Sequence, residues 1–162
     1  MDLRVGKIVE VWKHPESAKL YCEKIDIGGG EIRSIASGLQ EFVPIEQMQD
    51  ALVVVICNLR QKKLAGYPSH GMVLCAETPD KSAVELLKPP AGSQAGDLIT
   101  FADQERDPPE ALHKDDKKNP WFRVQPALNI DAEGVAKWNE FAMETEKGQC
   151  RAAGNIRNGV IH

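Results

Sequence analysis

Seven consecutive apolar residues, Ala51-Leu52-Val53-Val54-Val55-Ile56-Cys57, form the longest uninterrupted hydrophobic run in a chain of 162 residues. A strand whose two faces are both apolar has no side to offer to water, so this β-branched run predicts a central strand of a sheet. Seven residues fall far short of the roughly twenty that a membrane-spanning helix needs. Nor do the first residues, Met1-Asp2-Leu3-Arg4-Val5-Gly6, carry the apolar stretch of a secretory leader. The expectation is a chain in the cytoplasm with no membrane contact. Hydrophobic residues make up 42% of the whole, enough for a core without covalent staples.

Around that run the text breaks into short alternating segments. Val9 to Lys13, Leu20 to Ile27 and Glu31 to Ser37 read as strands, the last two joined across Gly28-Gly29-Gly30 as a hairpin. No GK[ST] follows the glycines, so they are a turn and not a phosphate loop. Pro44 to Gln49 reads as a short helix, with Ile45, Met48 and Leu52 on one side. Gly71 to Ala76 supplies a fifth strand, and Leu98 to Phe101 a last short one. From Ala102 to Pro120 the chain carries six acids, four bases and three prolines, the composition of a connector over a surface. Beyond it Trp121, Val124 and Leu128 share a helical face that Pro126 ends, and Val135, Trp138, Phe141 and Met143 mark further strands. The fold class expected is mainly β. Five short strands within residues 1–102, with a small helix between the third and fourth, fit a five-stranded OB-fold barrel, and on periodicity alone a different small β-barrel fits equally. An α/β extension occupies residues 103–162.

Between Ala51 and Ala76 no acid occurs in 26 residues, although Asp and Glu number 24 in the whole chain. Buried strands exclude acids on their own account. They do not account for Asn58, Arg60, Lys62, Lys63 and His70 in the connection between them. Read as a loop from Asn58 to Tyr67, that connection must expose its bases, a positive patch on a protein of net charge −4 that is suited to phosphates. A second acid-free stretch, Lys147 to His162, adds Lys147, Arg151 and Arg157, the last read as belonging to a frayed end.

Enzymatic readings find little support. Ser69 and His70 are sequence neighbours, which a strand points to opposite faces. Glu41 with Glu46, or Asp115 with Asp116, are carboxylate pairs with nothing to set them across a cleft. The four cysteines, Cys22, Cys57, Cys75 and Cys150, contain no CxxC pair and read as buried reduced thiols, so neither a metal site nor a cofactor is expected. The barrel aromatics Trp12, Tyr21, Phe42, Tyr67 and Phe101 are scattered, not arrayed as a sugar-binding row.

Arg4-Val5-Gly6-Lys7-Ile8-Val9, His14-Pro15 with Leu20-Tyr21, Ser37-Gly38-Leu39, Val43-Pro44, Cys57-Asn58-Leu59, and Ser69-His70-Gly71-Met72 with Cys75-Ala76 form a recognisable set. Together they resemble the tRNA-binding domain related to endothelial-monocyte-activating polypeptide II, as found in the C-terminal appendix of eukaryotic tyrosyl-tRNA synthetases. Pro89-Pro90-Ala91-Gly92-Ser93, Gly96-Asp97, Lys117-Lys118 and Cys150 extend the likeness over nearly the whole chain. The resemblance implies a non-catalytic module that binds tRNA by shape and phosphate contact and holds it for an attached or associated aminoacyl-tRNA synthetase: tyrosyl, methionyl or an auxiliary protein of the synthetase complex. It implies RNA contacts at Asn58, Arg60, Lys62, Lys63, Ser69 and Met72, with Arg4 and Lys7 beside the first strand. It also implies that the extension imitates a second subunit, leaving the isolated domain monomeric. Where relatives have Lys-Met-Arg-Gly this chain has Lys63-Leu64-Ala65-Gly66, one base fewer, with Lys62 next to the gap. Some relatives act as secreted cytokines through a segment matching Arg4 to Glu10. The competing reading is therefore a protein-interaction or cytokine-like module with little tRNA affinity.

Overall fold

The apolar run becomes a strand buried on both faces, and the molecule is organised about it. The computed structural model describes residues 1–115 and 117–162, so that Asp116 of the predicted connector lies outside the described residues. The strands in the first part of the chain are β1 Leu3–Lys13, β2 Tyr21–Asp26, β3 Ile32–Ser37, β4 Leu52–Ile56, β5 Lys62–Leu64, β6 Tyr67–Ser69, β7 Met72–Val73, β8 Cys75–Glu77, β9 Val84–Lys88 and β10 Thr100–Phe101. A single helical turn, α1 (Ile45–Met48), precedes β4. The rest comprises α2 (Trp121–Val124), a 3₁₀ turn at Gln125–Ala127, and strands β11 Leu128–Ile130, β12 Ala136–Trp138, β13 Phe141–Thr145, β14 Gly148–Gln149, β15 Arg151–Ala152 and β16 Val160–Ile161.

Five antiparallel strands in the order β3-β2-β1-β4-β7 make the barrel sheet. It nearly closes on itself, because the His70 N–H donates to the Ser34 carbonyl at 2.8 Å and the Ala36 N–H donates to the Ser69 hydroxyl at 3.0 Å. A second sheet runs β10-β13-β12-β11-β16-β8-β9-β15, with β14 against β13. It crosses from barrel segment to extension: β16 pairs with β8 and β15 with β9. The mainly β, OB-like architecture is as expected.

Side-chain alternation on β4 divides the interior. Val53, Val55 and, just beyond the strand, Cys57 point into the barrel, where they meet Ile8, Tyr21, Ile25, Ile35 and Met48. Val54 and Ile56 point outward into a second core with Leu3, Val5, Leu74 and Leu87, covered by Leu112, Trp121, Leu128, Ile130 and Met143 of the extension. The extension is thus the other wall of β4. Pro126 ends α2 after one turn, as its missing donor requires.

Several sequence expectations are corrected. β1 begins at Leu3, and its buried residues are Leu3, Val5, Gly6 and Ile8. Val9–Lys13 is its exposed or half-exposed end, offset by a register shift between Ile8 and Glu10. The peptide from Arg4 to Glu10 is therefore barrel framework. The strand expected at Gly71–Ala76 is two strands broken at Leu74, β7 in the barrel sheet and β8 in the outer one. β9 was not foreseen: its Leu86 enters the barrel core and its Leu87 the outer core, so its apolar pattern lacks a strand's alternation. Gly28 of the glycine triplet has φ +89°, and a Cβ there would lie 2.5 Å from the Gly96 Cα, so two backbones touch where no side chain fits. All four cysteines are free and buried. Desolvation pushes the Cys57 thiol to about 11 and those of Cys75 and Cys150 to about 12, which keeps them protonated.

Alternation on β2 also carries an acid inside, since Glu23 lies between Tyr21 and Ile25 on the barrel-facing side and is fully buried. The Ser37 hydroxyl donates to its Oε2 at 3.0 Å, while Oε1 has no partner. Desolvation raises this carboxyl from an ordinary value of 4.5 to about 8, against the smaller opposing effect of Ser37. Between those two values the folded chain holds a proton that the unfolded chain has released. This group's contribution is fully present below pH 4.5 and is lost as pH rises to about 8, by up to about 1.4 kcal/mol per unit. Glu23→Gln should remove that slope: in urea unfolding the wild type should lose stability between pH 5 and pH 8, and the variant should lose much less. Equal losses would mean that the proton is not held in the barrel.

Candidate nucleic-acid interface

The segment expected as a loop from Asn58 to Tyr67 folds into a β-hairpin. β5 and β6 pair Lys62 with Ser69 and Leu64 with Tyr67, leaving Ala65-Gly66 as a two-residue turn. Both turn residues have positive φ, 47° and 82°, the type I′ pattern whose twist suits a hairpin. Three groups anchor it to the barrel. The Trp12 and Tyr67 rings meet edge to face at 5.8 Å. The Tyr67 hydroxyl donates to the Glu23 carbonyl at 3.1 Å. The His14 Nε2–H donates to the Ala65 carbonyl at 2.9 Å, and its Nδ1 accepts the Glu16 N–H at 3.0 Å, which sets the tautomer. The His14-Pro15 motif is a strand end on which the hairpin tip rests.

Alternation on β5 places Lys62 and Leu64 on one face of the hairpin and Lys63 on the other. Arg60, Lys62 and Lys63 are exposed, and among the described residues none of them has a carboxylate within 4.0 Å. Lys62 borders a groove of about 340 Å³ with Leu39, Phe42, Leu64, Met72 and Val73, and the Ser69 side of the barrel seam completes it. At one rim the Glu77 carboxylate is paired with His162. Of the predicted contact residues, Lys62, Ser69 and Met72 are brought together here.

Asn58 and Arg60 face a different, more polar concavity of about 580 Å³, shared with Arg33, His70 and Glu110. Asn58 is only 6% exposed. Its Oδ1 accepts the Asp2 N–H at 2.9 Å and its Nδ2 donates to the Pro109 carbonyl at 2.8 Å, so its side chain pins the connector to the barrel. Ser69, 3% exposed, has its hydroxyl in the barrel seam. Arg60 donates through Nε to the Leu112 carbonyl at 3.2 Å and leaves the remainder of its guanidinium to solvent. Arg4 forms a two-pronged pair with Asp2, both contacts at 3.1 Å, and Asp2 also binds Arg106. Lys7 is exposed but lies opposite Leu52, at the end of β4 away from the hairpin. The basic tail is not a free patch, nor is it frayed: Lys147 pairs with Asp97 at 2.8 Å, Arg151 donates to the Glu133 carbonyl, and Arg157 donates to the Gly154 and Ile156 carbonyls.

The contact residues expected from the sequence do not include Arg33, Phe42 or Leu39. Arg33 donates to the Cys57 carbonyl and pairs with Glu31 at 2.6 Å. Burial, followed by the Arg33 charge, lowers the pKa of His70, which keeps that imidazole neutral near pH 7. Phe42 is 41% exposed, a large aromatic left at a groove wall. Among the described residues no cluster of three or more His, Cys, Asp and Glu side chains is placed to hold a metal ion.

Comparison with known proteins accords with this geometry. The family model described as "Putative tRNA binding domain" matches residues 3–98. "Aminoacyl tRNA synthase complex-interacting multifunctional protein 1" of Cricetulus griseus is 43% identical over 161 residues, which is 99% of this chain and 44% of that protein. The cytoplasmic tyrosine–tRNA ligase of Gallus gallus is 43% identical over 162 residues, 99% of this chain and 30% of the ligase. The chain therefore spans less than half the length of these two relatives. The crystal structure of the C-terminal domain of Plasmodium vivax p43 superposes with a TM-score of 0.92 at 35% identity, covering 99% of this chain and 96% of that one. These likenesses extend through the segment beyond residue 98, so barrel and extension recur together. With the barrel, the anchored basic hairpin and a family match over more than half its length, the chain belongs to the tRNA-binding domain family.

Proposed function

We propose that this chain is a non-catalytic module that holds tRNA by its shape and phosphates, for an aminoacyl-tRNA synthetase to which it is joined or bound. A tyrosyl enzyme, a methionyl enzyme and an auxiliary protein of the synthetase complex are the three settings, and the names of the relatives above support the first and the last. The observation that carries the reading is the hairpin: Lys62 and Lys63 stand exposed and without carboxylate partners among the described residues, on a support rigidly tied to the barrel, in a protein of net charge −4. The net charge weighs against polyanion binding over the whole surface, whereas a local patch is enough for phosphate contacts. Direct contact is assigned to Arg60, Lys62, Lys63 and Met72. Asn58 and Ser69 act by positioning, through the hydrogen bonds they already make. Tethering makes weak binding sufficient, since a short linker gives an effective concentration of order millimolar. The cytoplasm is the place this function calls for, and no helix among the described residues is long and apolar enough to cross a membrane.

We further propose that residues 1–102 are the tRNA-binding unit and residues 103–162 a built-in cover that takes the place of a second subunit and leaves the isolated domain monomeric. The support is the outer core, in which Val54, Ile56, Leu74 and Leu87 of the barrel are roofed by Leu112, Trp121 and Leu128. A chain ending at residue 102 should expose that face and self-associate or aggregate in size-exclusion chromatography. A stable monodisperse monomer would contradict the assignment of the cover.

The test of tRNA binding is a mobility-shift titration with total tRNA at several salt concentrations. Lys62→Glu with Lys63→Glu should lower affinity for all tRNAs alike, by tenfold or more at low salt, and flatten the salt slope by about one to two units. Unchanged binding by this double variant removes the hairpin from the interface. His14→Ala releases the hairpin tip from Ala65, so it should weaken binding only a few-fold, as expected of a bond worth about 1 kcal/mol, with the salt slope unchanged.

A second reading, a protein-interaction module, is favoured by one feature. A cavity of about 690 Å³ is walled by Phe42, Leu52, Leu86, Leu87 and Pro90, and neither hairpin lysine lines it. Pull-down of synthetase components by a chain that does not shift tRNA at low salt would put this reading first.

A further inference from the structure

The hairpin cations explain an attraction for phosphates but not the groove beside them, whose walls are apolar. A helical RNA backbone, polar throughout, gains nothing from Leu39, Leu64, Met72 and Val73. An aromatic side chain left 41% exposed at the same wall is likewise of no use to a phosphate. Resting on the tRNA reading, we propose that this groove takes one unpaired nucleotide of the bound RNA, its base against Phe42 and its phosphate at Lys62. Two observations support that occupant over others. At about 340 Å³ the groove lies near the lower end of the range for small-ligand sites, roughly 300–1,000 Å³, which suits a single nucleotide and not a helix. Its charged groups differ in what they are free to do: Lys62 has no carboxylate partner among the described residues, whereas the Glu77 carboxylate is already paired with His162. Lys62 is thus the lining group left free to take a phosphate. Every base has a π-face, and stacking on an aromatic ring contributes about 1–3 kcal/mol per base without regard to sequence. The site would therefore add affinity for unpaired RNA while leaving the family's shape-directed contacts as they are.

The test compares a blunt-ended RNA hairpin with the same hairpin carrying a four-nucleotide single-stranded 3′ extension, by fluorescence anisotropy with the full chain. The extended RNA should bind about tenfold more tightly. Phe42→Ala, at a side chain already two-fifths exposed, should abolish that increment, leaving affinity for the blunt hairpin and its salt slope as in the wild type; Phe42→Trp should restore it. Equal affinity of the wild type for the two RNAs overturns the groove assignment, while binding of total tRNA remains intact. Persistence of the increment in Phe42→Ala overturns it as well. Displacement of the extension by an unfolded carboxymethylated protein, at concentrations that do not release the blunt hairpin, would reassign the groove to polypeptide. Failure of total tRNA itself to bind at low salt would overturn the parent reading and this one with it.

Discussion

The strand Leu52–Ile56 has no solvent face, and the remainder of the architecture follows from meeting that demand twice. Its inward residues complete a small barrel, which curls the sheet until β3 and β7 approach. Its outward residues would leave Val54 and Ile56 in water on an open OB-fold, so a second wall is required. The extension supplies that wall by joining the outer sheet through β15 and β16 and inserting Trp121 and Leu128. Burial of a side chain of this kind contributes about 1.5–3 kcal/mol, so four such residues left uncovered represent a large fraction of a domain's net stability. The extension thus takes a large apolar surface of the barrel out of water.

The same division determines where the chemistry sits. The extension packs against the outer face of β4, β8 and β9 and its last residue, His162, reaches the groove, while the connector meets the barrel at Asn58 and Arg60 through the Pro109 and Leu112 carbonyls. That connector draws Asn58 into the framework and restrains Arg60, yet leaves Lys62 and Lys63 exposed. Rigid support matters here because a long cation held on a fixed base loses less conformational entropy on binding than one carried by a mobile loop. Trp12, His14 and Tyr67 provide the support, which explains a His-Pro pair far from the lysines in sequence.

Elements whose neighbours are local were readable. The β2–β3 hairpin about three glycines, the single turn at Pro44, and the end of α2 at Pro126 each follow from dihedral preferences or side-chain period within a few residues. Where one strand serves two cores, period failed: β9 sends Leu86 and Leu87 to opposite sides, and the Gly71–Ala76 run changes sheets at Leu74. The basic connection was legible as a positive patch, but its residue types could not say which of them were already engaged. Arg4, Asn58 and Ser69 carry suitable donors, and each is committed to a partner dozens of residues away or, for Arg4, to Asp2 beside it.

By itself the sequence determined a β-rich chain with one strand buried on both sides, a concentration of cations without acids between two core strands, and a likeness to tRNA-binding domains carried by motifs of adjacent residues. These properties reside in composition and short-range order, which survive without knowledge of contacts. Tertiary structure alone decided that the patch is a hairpin on a His14 and Trp12 support, that Lys62 shares a groove with Phe42 while Lys7 does not, and that the basic tail is consumed by Asp97 and backbone carbonyls. Such outcomes depend on which distant groups compete for each donor, and that competition is settled only when the chain closes on itself.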